Sequence, residues 1–287
     1  MRFFCINDRA PKTTIELLAR ACEARGVAFH EIHAPAFRFD PQAGLQRGDM
    51  LYRPAVSGAA ARVEQFLWRD GLASFHRDPL GPFFHADAYP LLFQGLGISV
   101  PRTLPVVSRD REAMRAAVEA LGGLPVVVKL LGFEGGVGVL RVDSLPALFS
   151  TLDYLLASGR EPLLAAYIED AVHWRVVVLG GRAIAAYRNV PEADDFRTYA
   201  SEDPADFVTE PPPELEQLAV AAADALRTDF AGVDLLRHPS GRCYLLEANF
   251  PCWFAQSQLV AGVDVAGAMV ERLIQVRQSL CECEISD

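Results

Sequence analysis

The sequence predicts an α/β fold in which a small parallel α/β unit precedes a larger α+β region. Strand-like and helix-like segments alternate over the first 85 residues, the rhythm of βαβ units and of a parallel sheet covered by helices. Farther along, strands instead come in adjacent pairs around short turns, "GG" at 180–181 and "HPSG" at 238–241, as antiparallel hairpins do. A chain of 287 residues suffices for one large domain or two to three small ones, and a 51% hydrophobic content can fill their cores.

In order, "RFFCIN" reads as a buried strand. Pro11 then opens a helix whose Ile15, Leu18, Ala19 and Cys22 recur at helical spacing, and Gly26 closes it. "VAFHEIH" and "DMLYRP" follow as strands, then "ARVEQFLW" as a helix and "ASFH" as a short strand. A helix at "ADAYPLLFQGLG" leads into "ISVPRTLPVV", a helix over 110–121, the strand "LPVVVKLL", a helix over 144–157 and the strand "LLAAYI". "HWRVVVLG" and "RAIAAYRN" form the first hairpin. Residues 191–212, polar and proline-rich, read as a loop or lid. From 213 a helix sets Leu215, Leu218, Ala219, Ala222, Ala225 and Leu226 on one stripe, followed by the hairpin "VDLLRHPSGRCYLLEANFP" and a last helix over 263–279.

Composition narrows the function classes. Lys and Arg number 27 against 37 Asp and Glu, a net charge of −10, and such a surface repels phosphate backbones, so nucleic acid is not an expected partner. No apolar run reaches the roughly 18 to 20 residues that cross a bilayer, and "MRFFCINDRAPK" meets charge and proline too early for a signal peptide. The expectation is therefore a cytoplasmic chain with no membrane partner. Cysteines at 5, 22, 243, 252, 281 and 283 form no CxxC pair and read as reduced thiols. The terminal Cys281/Cys283 pair is either a polar tail or a soft-metal site.

Three constellations carry chemistry. In the second hairpin, alternation puts Glu247 and Asn249 on one face, and the turn can bring Asp234 beside them. Carboxylate and amide oxygens suit hard cations such as magnesium, although a turn aspartate, an arginine-paired glutamate and a capping asparagine would explain the same residues. Next, "VVVKLLGFEGGVGVL" ends a strand with Lys129 and follows it with Gly132, Gly135, Gly136 and Gly138. A lysine beside a glycine loop can hold phosphates; the alternative is an ordinary glycine-rich hairpin with a surface lysine. It is neither a Walker A motif nor a dinucleotide fingerprint, because the spacings fail. Last, Arg175, Arg188 and Arg197 lie in or near apolar strands, where an inward arginine needs an anionic partner, be it a ligand or a structural carboxylate.

The order of these motifs resembles the ATP-grasp superfamily, and within it the RimK-like carboxylate-amine ligases. The residues that carry the likeness are the strand-Lys-glycine loop, "AAYIED", the paired strands with an arginine, "AGVDLL" and "LLEANFP", with "GVDVAGAMV" as a closing segment. The resemblance runs from about 86 to 276 and implies an ATP-grasp fold holding nucleotide between two α+β subdomains: an N-terminal α/β domain at 1–85, a central subdomain at 86–168 and a C-terminal subdomain at 169–287. It implies Lys129 as a phosphate ligand, and Gly132, Gly135, Gly136 and Gly138 as a flap. Asp234, Glu247 and Asn249 would hold two magnesium ions, manganese being the alternative, with Glu247 bridging. Arg175 and Arg197 would steady transferred phosphate or substrate carboxylate. Tyr167 and Ile168 would line the adenine pocket, and Glu169 or Asp170 would meet the ribose.

The function so implied is ATP-dependent joining of a small-molecule or peptide carboxylate to an amine through an acyl phosphate. The alternatives are an ATP-binding regulatory module that does not ligate and a kinase on the same scaffold. Related ligases are often dimers or tetramers, so the resemblance also implies a homo-oligomer. The sequence departs from the family pattern at Ala165 and Ala166 before the hinge, at Asp87-Ala88, and at "TYASEDP" after Arg197, where a rebuilt acceptor site is expected. His85, His173 and Tyr199 are the candidate substrate contacts, each with an ordinary core or surface role as the alternative.

Overall fold

A computed structural model describes residues 1–38, 44–83, 89–133 and 135–282. The first sheet holds β1 (Arg2–Asn7), β2 (Ala28–His33) and β3 (Met50–Tyr52), all parallel, in the order β2-β1-β3, with helices α1 (Lys12–Ala24) and α2 (Gly58–Leu67). Both faces are apolar, as a parallel sheet requires. Phe3 and Cys5 pack on Ile15, Leu18 and Cys22 of α1, while Ile6 and Leu51 pack on Val63 and Leu67 of α2. "ASFH" does not become a fourth strand. Ala73 makes one isolated parallel bridge to Met50, and the chain then leaves the sheet to bridge His76 to Thr228.

After α3 (Tyr89–Gly95), a second sheet is built from β4 (Thr103–Leu104), β5 (Val126–Lys129), β6 (Val139–Val142) and β7 (Leu163–Ala166), antiparallel in the order β4-β7-β5-β6. It is covered by α4 (Arg111–Leu121) and α5 (Leu145–Ala157). Asp110 caps α4 by accepting from the Glu112 and Ala113 N–H groups, and Gly122 ends it in the left-handed conformation. Met114, Val118, Val126, Val128, Leu148 and Leu152 form a core of their own.

The third sheet joins β8 (Val172–Leu179), β9 (Arg182–Pro191), β10 (Thr198–Ala200), β11 (Phe207–Val208), β12 (Phe230–Arg237) and β13 (Cys243–Asn249). The order is β10-β9-β8-β12-β13, with β11 also pairing β9. One face, through Val176, Val178, Val233, Leu235 and Ala248, packs on Leu215, Ala219 and Ala222 of α6 (Pro213–Ala225) and on Phe93 of α3. The opposite face is split. Val177, Leu179 and Phe230 share a core with the first sheet and with α8 (Val265–Glu282), which follows α7 (Ala255–Ala261). The other half, bearing His173, Arg175 and Asp234, floors a cleft toward the second sheet.

Most expected elements are present, with two differences after residue 190. The segment expected as a loop or lid carries β10 and β11, both laid along β9, with Tyr199 opposite Val190 and the Phe207 ring stacked on Tyr187 at 4.9 Å. Edge strands of two or three residues lack the repeated alternation that marks a strand in sequence. Helix α7 is an addition, and α8 runs to Glu282 rather than 279. His85, Asp87-Ala88 and Cys283 lie outside the described residues.

A buried ionic trio ties the first unit together. Glu64, 2% exposed, pairs with Arg53 Nε at 2.7 Å and with His76 Nε2 at 3.2 Å. Burial alone would raise the Glu64 carboxyl, but His76 and Arg53 outweigh it and hold it below the ordinary glutamate range. Such a group stabilises the fold above the unfolded-state value and loses that contribution as pH falls through the folded one. Glu64→Gln should therefore cost about 3–5 kcal/mol near neutrality by leaving Arg53 uncompensated. In urea denaturation at stepped pH, the gap between variant and parent should narrow toward acid.

Candidate active site

The cleft between the second and third sheets has a volume of about 420 Å³. Its floor is a row of charges set by strand register. Asp234 on β12 faces Arg175 of β8 on one side and Glu247 of β13 on the other, and Gly232 pairs with Asn249. A β-bulge decides which face Glu247 takes. Asp234 pairs with Glu247 but the next residue, Leu235, pairs with Leu245, so Leu246 is the extra residue. As a result Leu245 and Ala248, three apart, both pack toward α6, while Glu247 and Asn249 turn to the cleft. Without the bulge, strict alternation would send Glu247 and Asn249 to the same side as Leu245, into the α6 core.

Two carboxylates directly opposite each other repel unless cations attend them. Arg175 Nε stands 3.0 Å from Asp234 Oδ1, and His173 Nε2 stands 3.2 Å from the same oxygen. Burial raises the Asp234 carboxyl, but Arg175, His173 and Lys129 together hold it below the ordinary aspartate range. Desolvation works against the Arg175 charge too, yet Asp234 and its other neighbours push that group above its usual value. The Arg175–Asp234 pair is close but not aligned as a hydrogen bond: Nε and Nη1 are buried without an acceptor. Among the described residues, neither Glu247 nor Lys129 has an ion pair or side-chain hydrogen bond. An unpaired acid and an unpaired base facing one cavity invite a ligand carrying both charge signs.

Arg175 lies on the β12 backbone because Gly232 has no side chain. A Cβ there would meet the Arg175 guanidinium and come within 2.7 Å of Cys252 Cβ. Burial pushes the Cys252 thiol up to about 12, so it acts as neutral packing. Opposite the floor, β5 delivers Lys129, and the glycine loop after it bends over the cleft. Gly135 and Gly136, at φ of +62° and +74°, line it, and a Cβ on Gly136 would press within 3.1 Å of Arg197 Cδ. Arg197 is held by Asp195 at 2.7 Å within its own loop. At the hinge end, Tyr167 lies beneath the Arg141 guanidinium at 4.6 Å and near Phe196, with Ile168 beside it in the cleft wall.

A family model for the RimK-like ATP-grasp domain matches residues 87–273, more than half of the sequence. The chain belongs to the RimK-like ATP-grasp family. Among curated RimK-like relatives, it is 28% identical over 181 residues to a probable alpha-L-glutamate ligase 2 of Pseudoalteromonas atlantica, covering 62% of this chain and 59% of that protein. It is 30% identical over 176 residues to a ribosomal protein bS6–L-glutamate ligase of Shigella boydii serotype 4, covering 61% and 58%. The chain thus spans about three fifths of the length of these curated relatives. The solved structure of the ATP-grasp ligase PsnB, complexed with minimal precursor, Mg and ADP, superposes with a TM-score of 0.69 at 19% identity, covering 96% of this chain and 97% of that one. That likeness establishes the ATP-grasp fold.

Within this ATP-grasp fold, the cleft brings together Lys129, Gly135, Gly136, Tyr167, Ile168, Arg175, Arg197, Asp234, Glu247 and Asn249. Gly132 and Gly138 do not line it. Their positive φ values, +81° and +79°, shape the base of the loop, where Gly138 packs on Leu130 and Phe133. Glu169 lines a second cavity of about 400 Å³ together with Tyr167, Ile168, Pro125, His238 and Arg242, and Asp170 lines neither, its φ of +55° marking the turn from β7 to β8. The two cavities share Tyr167 and Ile168, so Glu169 stands beside the expected adenine wall. Sequence reasoning missed Gly232, although a glycine inside a strand is the usual sign of close approach. It also missed Asn189 and Thr198, which join His173 in the wall. Gly232→Ala should cost about 1–3 kcal/mol in urea denaturation through overpacking against Arg175 and Cys252, although alanine is the better strand residue elsewhere.

Proposed function

We propose that the protein is an ATP-dependent ligase that joins a carboxylate to an amine. The observation that carries this is Lys129, without an ion pair among the described residues, facing the Asp234, Glu247 and Asn249 oxygens across one cleft, in a chain of the RimK-like family. The glutamate-ligase relatives and the precursor-bound PsnB structure support amide formation on an amino acid or peptide. The donor set fits magnesium: two carboxylates and an amide leave coordination positions for phosphate oxygens and water, as this ion prefers, and manganese is the alternative ion. Among the described residues no three His, Cys, Asp or Glu side chains are arranged to hold a metal, and the set here counts two carboxylates and the Asn249 amide.

In the reaction so read, a substrate carboxylate oxygen attacks the γ-phosphorus of ATP, ADP departs, and the acyl phosphate is attacked by an amine. Phosphate then leaves with the C–O bond, and the amine loses a proton. Magnesium, when bound, would neutralise charge on the phosphoryl oxygens. Lys129 supplies the opposing positive charge from the second sheet. Arg175, packed on Gly232 and beside Asp234, lends positive charge to the cleft floor. Gly136 brings backbone against Arg197 at one end of the cleft, and Gly135 lines the cleft beside it. Tyr167 and Ile168 offer the base a partly apolar wall, and Ala165 and Ala166 beside them leave its recognition to backbone groups.

Incubation with ATP, magnesium and a pool of amino acids and peptides should release ADP and phosphate only when both an acid and an amine are present. Lys129→Ala and Glu247→Ala should each lower that rate by about a hundredfold or more. Nucleotide binding without turnover would instead favour a regulatory module, and a stable phosphorylated product without amine dependence would favour a kinase.

A further inference from the structure

His173 opens the cleft floor on β8 and is held at both ring nitrogens. Nε2 lies 3.2 Å from Asp234 Oδ1, Nδ1 is hydrogen-bonded to Thr198 Oγ1, and the Asn189 carboxamide packs alongside with Nδ2 3.3 Å from Nε2. An ionised carboxylate can only accept, so Nε2 carries a proton and donates it toward Asp234; in the neutral ring Nδ1 then accepts from the Thr198 hydroxyl. Arg175 cannot substitute for this contact. Its Nε is near Asp234 but unaligned, which leaves His173 as the one side-chain hydrogen-bond donor to Asp234 among the described residues. Arg175 therefore supplies charge to this carboxylate, and His173 supplies direction. With Oδ1 so engaged, Oδ2 remains for a cation.

Thr198 begins β10, in the segment that also carries Arg197 and Tyr199. We propose that His173 is a positioning residue that ties Asp234 to this segment, so that the aim of the carboxylate depends on how β10 is seated against β9. The inference rests on the ligase reading for the role of Asp234. It gives the rebuilt stretch after Arg197 a second task besides contacting the acceptor, namely completing the hydrogen-bond chain Thr198 to His173 to Asp234. Groups that orient a metal-binding side chain typically change metal affinity by 10- to 100-fold when removed.

The test needs no knowledge of the acid or the amine. ADP binding to the full chain is followed by calorimetry while magnesium is titrated, in the parent and in His173→Ala, His173→Gln, Thr198→Val and the His173→Ala/Thr198→Val double variant. His173→Ala should raise the magnesium concentration at half-effect by about tenfold while leaving metal-free ADP affinity unchanged. His173→Gln, which keeps a donor near the Nε2 position, should recover most of the loss. Thr198→Val should give a smaller shift of the same kind, and the double variant should be no worse than His173→Ala, because both act through one chain. An unchanged magnesium requirement in His173→Ala, or additive losses in the double variant, would overturn the inference while leaving the ligase reading intact. A parent protein whose ADP binding ignores magnesium would overturn both.

Discussion

The structure depends on a row of charges written across three adjacent strands, one guanidinium followed by two carboxylates. Arg175, Asp234 and Glu247 stand side by side on β8, β12 and β13, and two acids could not stay neighbours on a half-buried floor without the guanidinium beside them. That pairing governs much else. It demands a glycine at 232, because the guanidinium needs the space of a side chain, and a small neutral residue at 252, which packs against the same spot. It also leaves Asp234 paired and Glu247 without an ion pair among the described residues, so the floor can receive further positive charge.

The half-covered third sheet explains why the cleft lies where it does. Its α6 face is continuous apolar core. The opposite face changes character along β8: Val177 and Leu179 pack against the first sheet and α8, whereas His173 and Arg175, on the same face, meet the cavity. The same alternation thus serves stability at one end of the strand and chemistry at the other. The unit at the N-terminus contributes by sharing that core, and its buried Glu64 trio sits one ring contact from the cleft strands, since His76 packs edge-on to Phe250 just after Asn249.

How much of this was legible in the sequence follows from the physics of each element. Long periodic segments such as α1, α6 and β8 announce themselves through burial of one stripe or one face. The order of Lys129, the glycines, Arg175 and the Asp-Glu-Asn set pointed to the family, because polar residues set within or at the ends of apolar strands stand out from the pattern that burial alone would write. The bulge at Leu246 was not readable, since one extra residue in a strand changes neither composition nor propensity; it shows only when two strands are laid side by side. Strands β10 and β11 were hidden because their pairing with β9 is a tertiary contact made by segments of three and two residues. Of the two acids expected near the ribose, Asp170 is turned out of both cavities by its positive φ, whereas Glu169 stays with Tyr167 and Ile168 along the second one, a split that chain order alone does not show.

Among the described residues the core of the second sheet draws on its own strands and on α4 and α5, and the chain crosses between this body and the rest near 100–102 and again near 167–170. By contrast, the first and third sheets are welded through shared side chains. A swing of the smaller body about those two crossings would expose little apolar surface and break few backbone bonds, so the aperture between the ammonium of Lys129 and the acids beneath it is a soft coordinate of the molecule, while the spacing among the acids themselves is stiff.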